Sequence, residues 1–144
     1  MPFEPRDAEF EARVRASFAR QRAMETLGAR LVRVAPGEVE IELAFREDLT
    51  QQHGYLHAGV VAAVVDSACG YAALSLAEPG AEVLSIEFKL NLLAPSAGDS
   101  FSARARVLRS GRNITVCAGD VYARRAEAEK LVATMLATMM TVRT

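Results

Sequence analysis

The stretch Ala58-Gly-Val-Val-Ala-Ala-Val-Val-Asp66-Ser-Ala-Cys-Gly-Tyr-Ala-Ala-Leu-Ser-Leu-Ala77 decides the fold. It carries one charged side chain, Asp66, among small and apolar residues. A helix that is apolar all round is one that other elements cover. The run is long enough to raise the question of a membrane span. Its richness in Ala, Gly and Ser, and its central Asp, argue against one. An unpaired carboxylate in such surroundings costs several kcal/mol, roughly the stability of a small domain. A chain that keeps one there pairs it or uses it. Buried carboxylates also carry the perturbed pKa values that general bases and carboxylate nucleophiles need.

Working outward, the polar loop Arg46 to His57 feeds this helix, and Glu78-Pro79-Gly80 ends it. Upstream, Glu38 to Phe45 alternates polar and apolar as a half-buried strand does. Pro36-Gly37 is a turn, and residues 29–34 form the hairpin partner. Phe10, Val14 and Phe18 recur at four-residue steps, which predicts one amphipathic helix from Asp7 to about Leu27. Downstream, Val83 to Leu92 alternates cleanly. Leu84, Ile86, Phe88, Leu90 and Leu92 share one face, and Ser85, Glu87, Lys89 and Asn91 the other. Phe101 to Arg109 and Asn113 to Ala123 flank the turn Ser110-Gly111-Arg112, and Leu131 to Val142 is the last strand. The expected architecture is α+β: an antiparallel five- or six-stranded sheet curled around one long buried helix, with an extra N-terminal helix. Residues 1–27 form a helical extension and 28–144 the main domain.

The chain has 144 residues, 51% of them hydrophobic, enough for a core without disulfides or metal. Seventeen Lys and Arg against eighteen Asp and Glu argue against nucleic acid or an anionic membrane as partner. Cys69 and Cys117, both in apolar runs, read as reduced core thiols of a cytoplasmic protein. Met1 to Arg6 shows no signal-peptide pattern. His53 and His57 stand four apart but lack a third ligand with a convincing spacing, so no metal is expected, and no cofactor. No Gly-x-Ser-x-Gly elbow is present, which argues against a serine hydrolase. Arg104, Arg106, Arg109, Arg112, Arg124 and Arg125 cluster around one hairpin. A charged, solvated sheet edge explains them better than a phosphate site, because no motif picks out any one of them.

Gln51-Gln-His-Gly-Tyr-Leu-His57-Ala-Gly59, followed by Asp66 nine residues after His57, resembles the active-site segment of hotdog-fold acyl-CoA thioesterases of the phenylacetate-pathway group. Ser85-Ile-Glu-Phe-Lys-Leu-Asn-Leu-Leu-Ala-Pro95 resembles the family's next strand. Gln51 stands where the family has Asn, and Ala58 replaces the first Gly of a His-Gly-Gly motif while keeping its backbone N–H. The resemblance implies a metal-free thioesterase acting on small to medium acyl- or aryl-acyl-CoA. It implies Gln51 and His57 in the catalytic loop, Gly59 and Ser85 near substrate, and a dimer, or dimer of dimers, with sites at the subunit interface.

The chemistry that the resemblance implies assigns two further roles. Thioester hydrolysis needs an oxyanion donor and a carboxylate that activates water or attacks. The Ala58 N–H, at a helix N-terminus, is the candidate donor, and Asp66 the candidate base or nucleophile. Eight residues of helix hold them about 12 Å apart, too far to serve one carbonyl. Two chains with antiparallel helices would unite them. The alternatives are a non-catalytic acyl-CoA-binding protein and a hotdog hydratase or dehydratase. Asp66 could also be a structural carboxylate.

Overall fold

A computed structural model describes residues 2–143. Two short helices, α1 (Phe10–Ala19) and α2 (Arg22–Leu27), precede the hairpin β1 (Arg30–Ala35) and β2 (Glu38–Ala44). The long helix α3 (Ala58–Leu74) follows, then β3 (Glu82–Leu92), β4 (Ser100–Ser110), β5 (Ile114–Arg125) and β6 (Ala128–Val142). The six strands form one antiparallel sheet in the order β1-β2-β4-β5-β6-β3. Helix α3 packs against every strand from β2 to β6. This is the architecture expected from the sequence, with six strands. No helix among the described residues is long and apolar enough to cross a membrane.

The core lies between α3 and the inner face of the sheet. Val61, Val65, Ala68, Cys69 and Ala72 meet Val39, Ile41, Leu43, Phe101, Val121, Met135 and Met139, all buried. Gly119 permits the close approach. A Cβ there would stand 2.6 Å from Val65 Cγ2 and 3.0 Å from Cys69 Sγ. The C-terminal end of α3 is held from the N-terminal extension. The Arg13 guanidinium donates to the carbonyls of Leu74, Ala77 and Glu78 at 3.1, 2.7 and 2.6 Å. A cation at a helix C-terminus satisfies orphan carbonyls and opposes the helix dipole.

Three expectations need correction. The N-terminal helix is two helices, because Gln21 is extended (φ −81°, ψ 97°) and breaks it. The break lets α2 turn and bury Met24. Second, β3 does not present a single apolar face. A bulge between Ser85 and Glu87 inserts Ile86 and shifts the alternation by one residue. Before it, Leu84 points outward beside Met140 and Ser85 points inward beside Met139. After it, Phe88, Leu90 and Leu92 pair with Ala137, Met135 and Ala133 and point inward. Even so, Phe88 and Leu92 remain 45% and 52% exposed in the single chain, because β3 is a sheet edge. Third, α3 is not covered all round. Gly59, Ala62, Ala63, Asp66 and Gly70 form a stripe that stays half-buried or exposed, so Asp66 is half-buried in one chain.

The β5–β6 hairpin carried no turn signature in the sequence. Its turn, Ala126-Glu127, places Ala126 at φ 53° without a glycine. As a result β6 starts three residues before Leu131.

Candidate active site

The loop before α3 is tied down by its own backbone. Leu56 N–H donates to Ser96 O and His57 N–H to Leu49 O, each at 3.0 Å. Gln51 sits inside this loop. Its N–H donates to Tyr55 O, and its side-chain Oε1 accepts from the His53 N–H at 2.5 Å. The carboxamide oxygen is therefore spent on loop geometry, and the NH2 group is left for other partners.

His57 is the N-cap of α3, and its ring Nδ1 accepts from the Gly59 N–H at 2.8 Å. The neutral ring then carries its proton at Nε2. Gly59 is constrained by that contact, since a Cβ would come within 3.1 Å of Nδ1. One donor of the first turn is thus consumed. The Ala58 N–H has no hydrogen-bond partner among the described residues. It borders a cavity of about 470 Å³ lined by Gln51, Tyr55, Leu56, Leu93 and Pro95.

Asp66 lies two turns further along α3. Ser85 Oγ donates to its Oδ1 at 2.7 Å. The bulge makes this possible, because it leaves Ser85 on the inner face while the next inward residue is Phe88. Both border a second cavity, of about 230 Å³, together with Ser17, Gln21, Ser67 and Tyr71. Gln21 Oε1 accepts from Ser67 Oγ at 3.1 Å, and Ser17 Oγ donates to the Tyr71 hydroxyl at 3.3 Å. Burial pushes the Tyr71 phenol up, so it stays protonated at neutral pH. The sequence reading missed Gln21. It sits in a helix break that no Gly or Pro announces.

The expected site residues therefore fall into two groups. Gln51, His57, Ala58 and Gly59 gather at the N-terminus of α3, and Asp66 and Ser85 gather at its middle. One chain does not bring the groups together. The two cavities share no lining residue.

Cys69 and Cys117 stand apart from both. Each is buried and free, and Cys117 Sγ donates to the Cys69 carbonyl at 3.4 Å. Burial pushes both thiols up, Cys117 to about 12, which leaves neither as a thiolate at neutral pH. The arginine cluster is mostly paired on the outer face of the sheet. Arg104 meets Glu129 at 2.8 Å and lies over the Tyr122 ring, Arg124 meets Glu42 at 2.7 Å, and Arg106 meets Asp120 at 3.3 Å.

Residues 53–128 match the family model of the thioesterase superfamily. A thioesterase family protein from Silicibacter pomeroyi is 50% identical in sequence. The alignment covers 94% of this chain and 99% of that one, with a TM-score of 0.92. Human acyl-coenzyme A thioesterase 13 is 32% identical over 92 residues, covering 63% of this chain and 65% of that protein. The chain spans less than two thirds of the length of that protein and of a Saccharolobus solfataricus relative that is 29% identical over 90 residues. The E. coli PaaI protein from the phenylacetic acid degradation operon shares the fold, with a TM-score of 0.82 at 19% identity over 93% of this chain and 94% of that one. With the family match across more than half its length, and with a six-stranded antiparallel sheet packed on one central helix, the chain belongs to the thioesterase superfamily.

Proposed function

We propose that the protein is an acyl-CoA thioesterase that hydrolyses small to medium acyl- or aryl-acyl-CoA at two equivalent sites in a homodimer. The observation that carries this reading is the division of chemistry along α3. A free N–H donor stands at the helix end, and a serine-held carboxylate stands about 12 Å away. Neither half can hydrolyse a thioester alone, and an antiparallel pair of α3 helices would join them twice. Two features of the single chain support the pairing. The open stripe of α3 consists of small residues around Asp66. The adjacent edge strand β3 leaves Phe88 and Leu92 exposed, a surface that isolated proteins avoid.

In the joined site the thioester carbonyl oxygen receives the Ala58 N–H of one chain, and the carbonyl carbon faces Asp66 of the other. Ser85 fixes Oδ1, leaving Oδ2 to do the chemistry. If water attacks, its oxygen bonds to the carbonyl carbon and its proton passes to Oδ2. Collapse of the oxyanion expels the thiolate, which takes up that proton. If Oδ2 attacks directly, it bonds to the carbonyl carbon, the C–S bond breaks and the thiolate leaves. The resulting mixed anhydride is cleaved by water to the product acid and free Asp66, and the proton released passes to the thiolate. After a single turnover in oxygen-labelled water, label in the Asp66 carboxylate marks the second route, with water attacking the aspartyl carbon of the anhydride. The acyl group would extend into the cavity bordered by Gln21, Ser67 and Tyr71.

The test of the whole reading is a steady-state assay of free thiol release across a panel of acyl-CoA esters. No turnover of any member would overturn it. A protein that is active while it sediments as a monomer would overturn the shared site alone.

A further inference from the structure

On the thioesterase reading above, we infer that the N-terminal extension sets the length of acyl group this protein accepts. Ser17 and Gln21 wall the acyl cavity, and Arg13 is the positioning residue that holds the wall in place. The apolar period of α1 conceals a polar one beside it. Arg13, Ser17 and Gln21 stand at four-residue steps, with Arg13 and Ser17 one position before Val14 and Phe18. Side chains four apart lie one above the other on a helix face.

Each of the three meets α3, in reverse order along it. Arg13 donates to the carbonyls of Leu74, Ala77 and Glu78, and Ser17 Oγ donates to the Tyr71 hydroxyl. Gln21 Oε1 accepts from Ser67 Oγ. Phe18 adds an edge-to-face contact with the Tyr71 ring, centroids 5.8 Å apart. The extension therefore runs antiparallel to α3, sewn to it by side chains. Ser67 and Tyr71 are buried beneath this seam.

The seam follows the 230 Å³ cavity that starts at Asp66. On α3 the lining steps from Asp66 through Ser67, Gly70 and Tyr71 to Leu74 and stops there. Eight residues of helix give it a length of about 12 Å. Residues Glu82 to Ser85 of β3 form a second side, and Ser17 and Gln21 a third. Beyond Leu74 the helix end is taken by Arg13, with the Asp7 carboxylate 3.5 Å from its Nε. An acyl chain leaving a thioester at Asp66 has this length to fill. A longer one has to displace the extension. The Ser17 and Gln21 bonds are single and neutral, each worth little. The three charge-assisted bonds of Arg13 are the stronger hold.

Calorimetric titration with the S-butyl, S-hexyl and S-dodecyl thioethers of coenzyme A, which cannot be hydrolysed, tests this without requiring turnover. Every methylene that is buried adds to affinity. In wild type that gain should stop between hexyl and dodecyl. In S17A/Q21A and in R13A, affinity for the dodecyl thioether should rise about tenfold relative to the butyl one. R13K, which keeps a cation at the carbonyls, should stay near the wild-type ratio. A wild type whose affinity keeps rising through dodecyl, or that binds none of the three, overturns the inference. So does a wild-type ratio in S17A/Q21A, or an equal loss with all three thioethers, the result of a purely structural role. S17A/Q21A leaves the Arg13 bonds in place and decides the matter if R13A does not fold. A shifted ratio in a protein that releases no thiol from any acyl-CoA would leave the wall standing and remove the thioesterase reading.

Discussion

The two ends of the chemistry on α3 are built in different ways. At the N-terminus, geometry comes from backbone. Gln51 spends its carbonyl oxygen on its own loop, His57 spends Nδ1 on Gly59, and the Ala58 N–H is what remains. At the middle, geometry comes from side chains that meet across the fold, Ser85 from β3 on Asp66 and Gln21 from the α1–α2 break on Ser67. A backbone donor tolerates a change of side chain, so Ala58 offers the same N–H that a glycine there would. On the proposed reading the carboxylate of Asp66 tolerates none, because its charge would carry the chemistry.

The comparison is broken most directly at Asp66. Asp66→Asn is nearly isosteric and keeps one carbonyl oxygen for Ser85, so the fold should survive. Turnover of the best substrate should fall by a factor on the order of a hundred or more. Retention of activity within a few-fold of wild type would reduce Asp66 to a structural carboxylate.

Ala58→Pro attacks the other half by removing the N–H, at a first-turn position where proline is tolerated. A loss of about a hundredfold is expected. The two dead variants then sharpen the comparison together. After co-refolding, random pairing makes about half the dimers mixed, each with one intact site. Roughly a quarter of wild-type activity should return. Mixed dimers seen by mass spectrometry but inactive would place the whole site within one chain.

Gly119 tests whether both halves depend on how tightly α3 is clamped to the sheet. Gly119→Ala drives a methyl into Val65 and should cost about 1–3 kcal/mol in denaturant unfolding. An unchanged midpoint would mean the helix can shift at no cost.

The smallest expected effect is at Gln51. Since its oxygen supports the loop rather than the cavity, Gln51→Ala should lower activity by roughly tenfold or less. A loss equal to that of Asp66→Asn would move Gln51 into direct contact with the reacting atoms.

Much of this was legible in the sequence. The long apolar helix with one carboxylate, the strand alternation of Glu38 to Phe45 and the helix rise between Ala58 and Asp66 needed only local pattern, because helix and strand periods are fixed by backbone geometry. What local pattern could not give was decided between elements. The break at Gln21 has no Gly or Pro to mark it and exists because Met24 finds the core. The bulge at Ile86 is a matter of pairing with β6, and a one-residue slip turns Ser85 toward Asp66 and leaves Leu84 outside. The arginines look alike in sequence. Only register separates Arg124, paired on the outer face, from Arg125 on the inner one, because the face of a strand residue is set by its partner across the ladder and not by its neighbours along the chain.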